Sequence, residues 1–508
     1  MIDVAIVGAG PVGAVAANLC AVFGLSAVAF DREADVYELP RAAALYDDVQ
    51  RILHGAGVLD AILPATCELV GAEFVDAAGK RIIGFEVPPG LRTPNGFPPL
   101  LNINQPPLER AIRACLGARS GVELRAAHEV LGFEQRGDDV ELEVRDRAGG
   151  ATRRERARWL VGCDGATSAV RKACGIAWES LGYDCDWLVI DLELTRDVAL
   201  TPLCQQVCDP ARPTTLIPLP GRLRRWEFQL KPGETREEMQ DRDRVWSLLA
   251  PWLSRGDGEL LRAVVYRFHA TIAATFRHGR VFLAGDAAHQ TPPFQGQGLC
   301  TGVRDVENLI WKLAMVRRGQ AAASLLDTYT AERRPLAVAM VEHSTKTGQL
   351  IDAYAAMARG GPEPPAELQE YAYGGRRRLP DLADGLLEPD DGEWVGRYAP
   401  LATVSSPRGD GPLDDVVGPR WAIVARGDPR ALLGAEMQCW AEDLDMVMVS
   451  VPEANGALLG LLRAHEVVLV RPDRIVYGVA DAAGADALAR RLRDHLAAPD
   501  GGDGAIGS

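Results

Sequence analysis

The order of residues at the N-terminus leaves this chain few folds to choose from. Residues 4–7 are an unbroken apolar run enriched in β-branched side chains, the pattern of a strand buried on both faces of a parallel sheet. Gly8-Ala9-Gly10-Pro11-Val12-Gly13 follows at once, then a helical pattern, then a second apolar strand over residues 27–30 ending at Asp31. The glycines at 8, 10 and 13 permit a tight turn, close approach of a pyrophosphate to the backbone, and close packing of helix on strand. The helix start after Pro11 offers its positive dipole end and unpaired N–H groups to the anion without any lysine. Asp31, 18 residues past Gly13, stands where a carboxylate accepts hydrogen bonds from an adenosine ribose, with Arg32 beside it. A glycine-rich turn in some other α/β protein does not account for the acid. A dinucleotide-binding domain is expected, and the motif leaves NAD and FAD both open.

Residues 4–30 carry no charge, a length that could suggest a membrane span or signal peptide. Gly8, Gly10, Pro11, Gly13 and Gly24 interrupt it, and Asp3 stands where a signal peptide wants positive charge, so a cytoplasmic protein with no membrane partner is expected. A net charge of −15 repels a phosphate backbone, which argues against nucleic acid. The ten cysteines show no C-x-x-C and no paired zinc-type spacing, so no metal is assigned and the thiols are expected to be reduced and mostly buried. Cys204 and Cys208, the nearest pair, read as small apolar residues rather than a redox element.

Two later segments narrow the cofactor. Residues 159–171, WLVGCDGATSAVR, are an apolar strand running into Asp164-Gly165. Residues 280–289, RVFLAGDAAH, are another, ending in Gly285-Asp286. Beyond lie Thr291-Pro292-Pro293-Phe294-Gln295-Gly296-Gln297-Gly298-Leu299, then Gly302-Val303-Arg304-Asp305 and Asn308-Leu309-Ile310-Trp311-Lys312-Leu313. In this order the segments resemble the single-component FAD-dependent aromatic hydroxylases. The resemblance implies that Asp286 binds the ribityl chain of FAD and that the Asp164 segment serves both FAD and the passing NADH or NADPH. It places Pro293, Gly296, Gly298 and Leu299 at the N1–C2=O edge of the reduced flavin, where freed backbone N–H groups at a helix start suit an anion. Gln105 matches a glutamine expected near the ribityl chain, and Arg41 an arginine that lies along the pyrophosphate.

Within that family the chain is most similar to the 3-(3-hydroxyphenyl)propionate hydroxylase branch. Residues 41–51, Arg224-Arg225-Trp226-Glu227-Phe228, residues 292–313 and Leu469-Val470-Arg471-Pro472-Asp473-Arg474 carry the likeness. Tyr46 departs from it, standing where the branch carries an acidic residue. The implied reaction inserts one oxygen atom of O2 into a phenolic ring by way of a flavin C4a-hydroperoxide, with NAD(P)H as electron source and water as second product. A hydroxylase tailoring a polyketide or another aromatic secondary metabolite is the alternative. The phenol needs a base or acceptor. His289, His269 and Tyr46 are the candidates, each with a purely structural explanation beside it; Tyr46, Trp226, Phe228 and Pro292 are candidate substrate contacts. A halogenase lacks support because W-x-W-x-I-P is absent, and a non-catalytic carrier of the same fold would lack Gly285-Asp286.

The expected fold class is α/β: a discontinuous Rossmann-like FAD domain (1–70, 102–183, 270–359) and an antiparallel-sheet substrate domain (71–101, 184–269) roofing the flavin. A connector (360–391) with Pro362, Pro364, Pro365 and Arg376-Arg377-Arg378 leads to a thioredoxin-like C-terminal domain (392–499), and a Gly/Asp-rich tail (500–508) follows. Without C-x-x-C that last domain has no redox thiols, which leaves packing or contact in a homodimer as its role.

Overall fold

The computed structural model describes residues 1–39, 42–371, 380–388, 393–451 and 456–498. Arg41, the Arg376-Arg377-Arg378 run and the 500–508 tail therefore lie outside the described residues. The strand Ile2–Val7 is central in an eight-stranded sheet. It pairs in parallel with Ala27–Phe30 on one side and Thr152–Gly162 on the other. Val122–Arg125 and Val281–Leu283 extend the parallel part outward, and an antiparallel arm, His128–Arg136 with Asp139–Asp146, folds off Thr152–Gly162. The helix Pro11–Val22 packs against the helices Gln105–Leu116 and Gln297–Arg317. Asn18 ties two of these together, its Nδ2 donating to Ala14 O at 2.9 Å and to Ile112 O at 3.2 Å.

A second eight-stranded sheet is antiparallel except where Cys204–Val207 runs parallel to Gly71–Val75. Its backbone is the pair Trp178–Leu194 and Gly258–Ala273, long strands that run from the Rossmann layer to the far end of the molecule. The expected boundary at 183/184 thus falls inside a strand. Both faces of this sheet are covered. On one, Leu188, Ile190, Trp226 and Phe228 meet Val245, Trp246 and Leu249 in a core of their own. On the other, Phe74, Trp187 and Phe268 meet Phe294 and the residues Leu350, Ile351 and Tyr354 of the helix Thr328–Met357.

The C-terminal domain has the strand Ala422–Ala425 at its centre, parallel to Val447–Ser450 and antiparallel to Val467–Val470, which pairs with Val476–Ala480. With the helices Ala435–Asp443, Gly456–Ala464 and Ala485–Ala497 this is the βαβαββα arrangement of a thioredoxin-like domain, lengthened at one edge by the hairpin Thr403–Ser406 and Gly409–Pro412. Alternation decides where each side chain goes. Ala422, Val424, Val468 and Val470 fill a core internal to the domain, while Trp421, Ile423, Leu469 and Tyr477 belong to the main core of the nucleotide-binding domain.

Charged groups are buried at that junction in matched sets. Glu332 receives Lys312 Nζ at 2.7 Å and Arg471 Nη2 at 2.8 Å, and Asp473 receives Arg471 Nη2 at 2.6 Å and Trp311 Nε1 at 3.0 Å. Arg51 holds Asp414 with Nε and Nη2, both at 2.7 Å. The ten cysteines are free thiols, of which Cys20, Cys208 and Cys300 are buried and Cys439 is exposed; the other six are half-buried, less enclosed than expected. No helix among the described residues is long and apolar enough to cross a membrane.

Two outcomes follow. Trp421, 2 % exposed and edge-on to Trp311 at 5.9 Å, fills space that alanine cannot, so W421A is expected to cost about 3–5 kcal/mol in chemical denaturation. Burial opposes the charge of Asp414, but Arg51 outweighs it and the carboxyl is held down to about 2, below its ordinary 3.8. A folded value below the unfolded one contributes stability above about pH 4 that is lost as pH falls through about 2, about 2 kcal/mol here. Acid unfolding of D414N is expected to lack that part of the slope.

Candidate active site

The glycine turn is built around backbone rather than side chains. A Cβ on Gly13 would stand 1.9 Å from Gly8 O, and one on Gly8, whose φ is +92°, 2.5 Å from Cys163 O. Helix, turn and neighbouring strand therefore close up to a distance only glycine allows. Gly10 differs, because a Cβ there meets nothing within 4 Å. Its missing side chain leaves open space over the start of Pro11–Val22, the cradle a pyrophosphate would fill. Asp31 is set at the rim by Ala9 N–H, which donates to its Oδ2 at 3.1 Å, and by Arg113 Nη2 at 2.9 Å. Arg113 also holds Glu109 at 2.7 Å. Gln105, Glu109 and Arg113 recur every four residues on one helix and so share a face; that spacing was available in the sequence and points to Glu109 and Arg113. Gln105 Oε1 accepts from Ala42 N–H at 3.1 Å, whereas Arg32 is exposed and pairs with Glu33.

Gly285-Asp286-Ala287 forms a single 3-10 turn at the end of Val281–Leu283. A Cβ on Gly302 would meet Val12 Cγ2 at 2.7 Å and Gly285 Cα at 2.8 Å, so the turn, the first helix and Gln297–Arg317 converge on one point. Asp286 Oδ1 lies 4.0 Å from the Cβ position of Gly298 at that helix start, with Leu299 following. Asp164 turns inward, its carboxylate accepting from Ser168 Oγ at 2.6 Å and from Ala169 N–H and Val170 N–H at 2.7 and 3.0 Å. It shapes the turn before the helix Ala169–Ala173.

Behind Gly285 lies a buried ionic node. Asp305 Oδ2 takes Gly285 N–H at 3.1 Å and His289 Nε2 at 2.7 Å, and its Oδ1 takes Arg333 Nε at 2.9 Å. Burial opposes its charge, yet His289 and Arg333 keep the carboxyl below its ordinary value. His289 is fully enclosed, and its Nδ1 has no hydrogen-bond partner among the described residues. It fixes the flavin-side turn from behind.

A cavity of about 900 Å³ opens between the Pro293–Gly296 turn, the small sheet of Ala44–Tyr46, Thr66–Glu68 and Leu100–Ile103, the inner face of the second large sheet, and the C-terminal domain at Tyr398 and Ile475. Gln295 and Gly296 both have φ of +61°. For Gln295 that is a strained conformation, held by hydrogen bonds from its neighbours. Tyr46 Oη donates to Gln295 O at 2.7 Å, His343 Nε2 meets its Oε1 at 2.8 Å, and its Nε2 donates to Thr347 Oγ1 at 2.9 Å. Tyr46 and Pro293 line the cavity as expected residues of the site. The structure does not bring the other candidates to it. Trp226 and Phe228 sit on the opposite face of their sheet, because successive side chains of a strand alternate. His269 is 40 % exposed beside Asp184, and Pro292 is buried behind the turn. Arg225 and Glu227 occupy the inward positions instead, and Glu227, with Thr215 and Gln206, lines the cavity.

A nucleotide cradle abutting a cavity under a second sheet is the arrangement of an enzyme that holds a dinucleotide cofactor beside its substrate. Residues 1–344 match the family model described as FAD binding domain, and residues 396–495 that of the HcaD C-terminal domain. The chain belongs to this FAD-binding-domain family, as an FAD-dependent aromatic hydroxylase that draws electrons from NADH or NADPH. A probable NADH-specific resorcinol 4-hydroxylase of Rhodococcus jostii is 35% identical over 97% of this chain and 94% of its own length. A 3-(3-hydroxy-phenyl)propionate/3-hydroxycinnamic acid hydroxylase of Mycolicibacterium smegmatis is 34% identical over 100% and 95%. Among solved structures, the flavin-dependent monooxygenase PieE in complex with FAD and substrate superposes with a TM-score of 0.80, and aklavinone-11 hydroxylase with FAD and aklavinone with 0.78. At 23% and 24% identity, over 97% of this chain and 99% of theirs, these two establish the shared fold.

Gly10 separates cofactor binding from folding. G10V is expected to fold with an unchanged circular dichroism spectrum, because its side chain points into open space, and to lose at least about tenfold in FAD affinity, read by titration of the apoprotein with FAD.

Proposed function

We propose that this enzyme hydroxylates a small phenol without a carboxylate, with resorcinol as the compound to test first. The observation that carries this reading is the charge inventory of the cavity. Every arginine that lines it among the described residues is already committed: Arg92 to Glu68 at 3.0 Å, Arg304 to Asp48, Arg333 to Asp305 at 2.9 Å, and Arg397 to Asp381 at 2.9 Å. A substrate carboxylate would bring a buried negative charge into a space whose inner wall already presents Glu227. Without a cation of its own such a charge costs several kcal/mol. A neutral phenol needs only an acceptor for its hydroxyl and apolar walls for its ring, and Ala72, Phe85, Leu100 and Ile217 supply the latter.

Bound FAD would supply the activation of O2 with electrons from NADH or NADPH. The chain supplies binding and exclusion. The glycine cradle and Asp31 would hold the nucleotide end of FAD and Asp286 its linking chain, and the Gln295-Gly296 turn, braced by Tyr46 and His343, would bind beside the ring. The second sheet and the C-terminal domain shut out water, which keeps reducing equivalents for the organic substrate.

The relatives that act on 3-(3-hydroxy-phenyl)propionate support a second reading, a phenolic acid. Steady-state rates with both compounds separate the two. The kcat/KM for resorcinol is expected to exceed that for 3-(3-hydroxyphenyl)propionate at least about tenfold, the effect of an unpaired buried carboxylate. The reverse ratio selects the phenolic acid.

A further inference from the structure

The inner face of the second large sheet carries a row of directly opposed polar side chains. Glu227 stands opposite Thr215, and Thr215 opposite Gln206, on adjacent strands. All three line the cavity and are nearly enclosed, at 6 %, 8 % and 2 % exposed. Thr215 Oγ1 donates to Gln206 Oε1 at 2.6 Å, and Gln206 Nε2 donates to Thr214 O at 3.0 Å, so these two are bonded within the sheet.

Glu227 is held more loosely. Arg225 Nη1 is 3.9 Å from its Oε1, while Arg225 gives Nε and Nη2 to Asp191 at 2.7 and 3.1 Å. Arg262 Nε also lies against Asp191, at 2.7 Å. Five of the six other carboxylates that line the cavity have closer partners, and the sixth, Glu370, is exposed to solvent. Asp48 pairs with Arg304, Asp381 with Arg397 and Asp473 with Arg471, Asp47 accepts from Thr93 and Asn95, and Glu307 takes the Tyr398 hydroxyl at 3.1 Å.

We propose that Glu227 is a catalytic residue that accepts the phenolic proton of the substrate as the ring is hydroxylated. This rests on the hydroxylase reading above and names the base of that same site. The substrate O–H bond breaks and a carboxyl O–H bond forms on Glu227. The electron pair stays on the phenolic oxygen and raises electron density at the ortho and para carbons, one of which takes the oxygen atom delivered from O2 by NADH-reduced FAD. The second oxygen atom leaves as water. The attacked carbon then releases its own proton to solvent, which makes good the proton taken up in forming water, the ring regains aromaticity, and Glu227 returns its proton to the phenolic oxygen.

The surroundings suit such a role. Burial pushes the Glu227 carboxyl up, Arg225 opposes this, Asp191 adds to it and Arg262 opposes it, and the result is about 7. An acceptor poised there exchanges a proton readily near neutral pH. The charged groups that act on it are Arg225 on its own strand, Asp191 on one neighbouring strand and Arg262 on the next.

The test uses the full-length FAD-loaded enzyme with resorcinol and NADH, as wild type, E227Q and E227D, from about pH 6 to 9. Product and hydrogen peroxide formed per NADH are measured together. Wild-type product formation is expected to rise through about pH 7. E227Q is expected to lose at least about a hundredfold in product-forming kcat, to divert most of its electrons to hydrogen peroxide, and to lose the pH limb; E227D is expected to keep a limb displaced from the wild-type one, with part of the rate. A merely structural Glu227 would lower rate without moving the pH limb or the product-to-peroxide split, and that result overturns the proposal, as does an E227Q with wild-type coupling. If E227Q does not hold FAD, E227D decides alone: a displaced limb supports the base, an unchanged one refutes it. A wild type that binds FAD yet hydroxylates neither resorcinol nor 3-(3-hydroxyphenyl)propionate refutes the proposed substrate, and the base assigned for it.

Discussion

One helix, Gln297–Arg317, holds the molecule together through charges that cannot be left alone. Along its length Arg304 pairs with Asp48, Asp305 with His289 and Arg333, Asn308 and Lys312 with Glu332, and Trp311 with Asp473. The partners lie on four separate parts of the chain, with Glu332 and Arg333 sharing the helix Thr328–Met357, and nearly all are out of water. Removing one member of such a buried pair costs about 3–5 kcal/mol, because the other stays behind uncompensated. The small sheet, the flavin-side turn, the long helix Thr328–Met357 and the C-terminal domain are therefore registered to one another by the same 21 residues. The geometry of the cavity follows from that registration.

The nucleotide cradle illustrates the opposite strategy. There the design depends on absent atoms, at Gly8 and Gly13 so that backbone can touch backbone, and at Gly10 so that space stays open. Requirements of this kind are legible in sequence, because a single residue type satisfies them and because strand, turn, helix and acid must come in order. The Rossmann layer, the Gly285-Asp286 turn and the thioredoxin-like end were readable for that reason. So was the stripe Gln105, Glu109, Arg113, at a spacing that helical geometry makes meaningful.

The inner wall of the cavity was not readable, and Arg225-Trp226-Glu227-Phe228 shows why. In a sheet with one wet face, alternation of charged and aromatic residues sends the aromatics inward. This sheet is covered on both faces, and the aromatics go to a core of their own while Arg225 and Glu227 take the other face, where Glu227 lines the cavity. Nothing local distinguishes the two cases; which face meets which layer is decided by elements far away in the chain. His289 is a similar instance. Its nearness to the flavin turn could be read, but its bond to Asp305, 16 residues on, makes it a brace. The left-handed Gln295 carries no sequence signal, since its conformation is imposed by Tyr46, His343 and Thr347.

The junction of the C-terminal domain with the rest has an implication for how such proteins diversify. Its sheet contributes one face, through Trp421, Ile423, Leu469 and Tyr477, to a core that is not its own, and its Arg471 is neutralised partly by Glu332 of the long helix. A chimera that exchanged this domain between relatives would have to carry both halves of the seam across together. The domain looks like a separable module in the sequence, but it is inherited as part of the enzyme's interior.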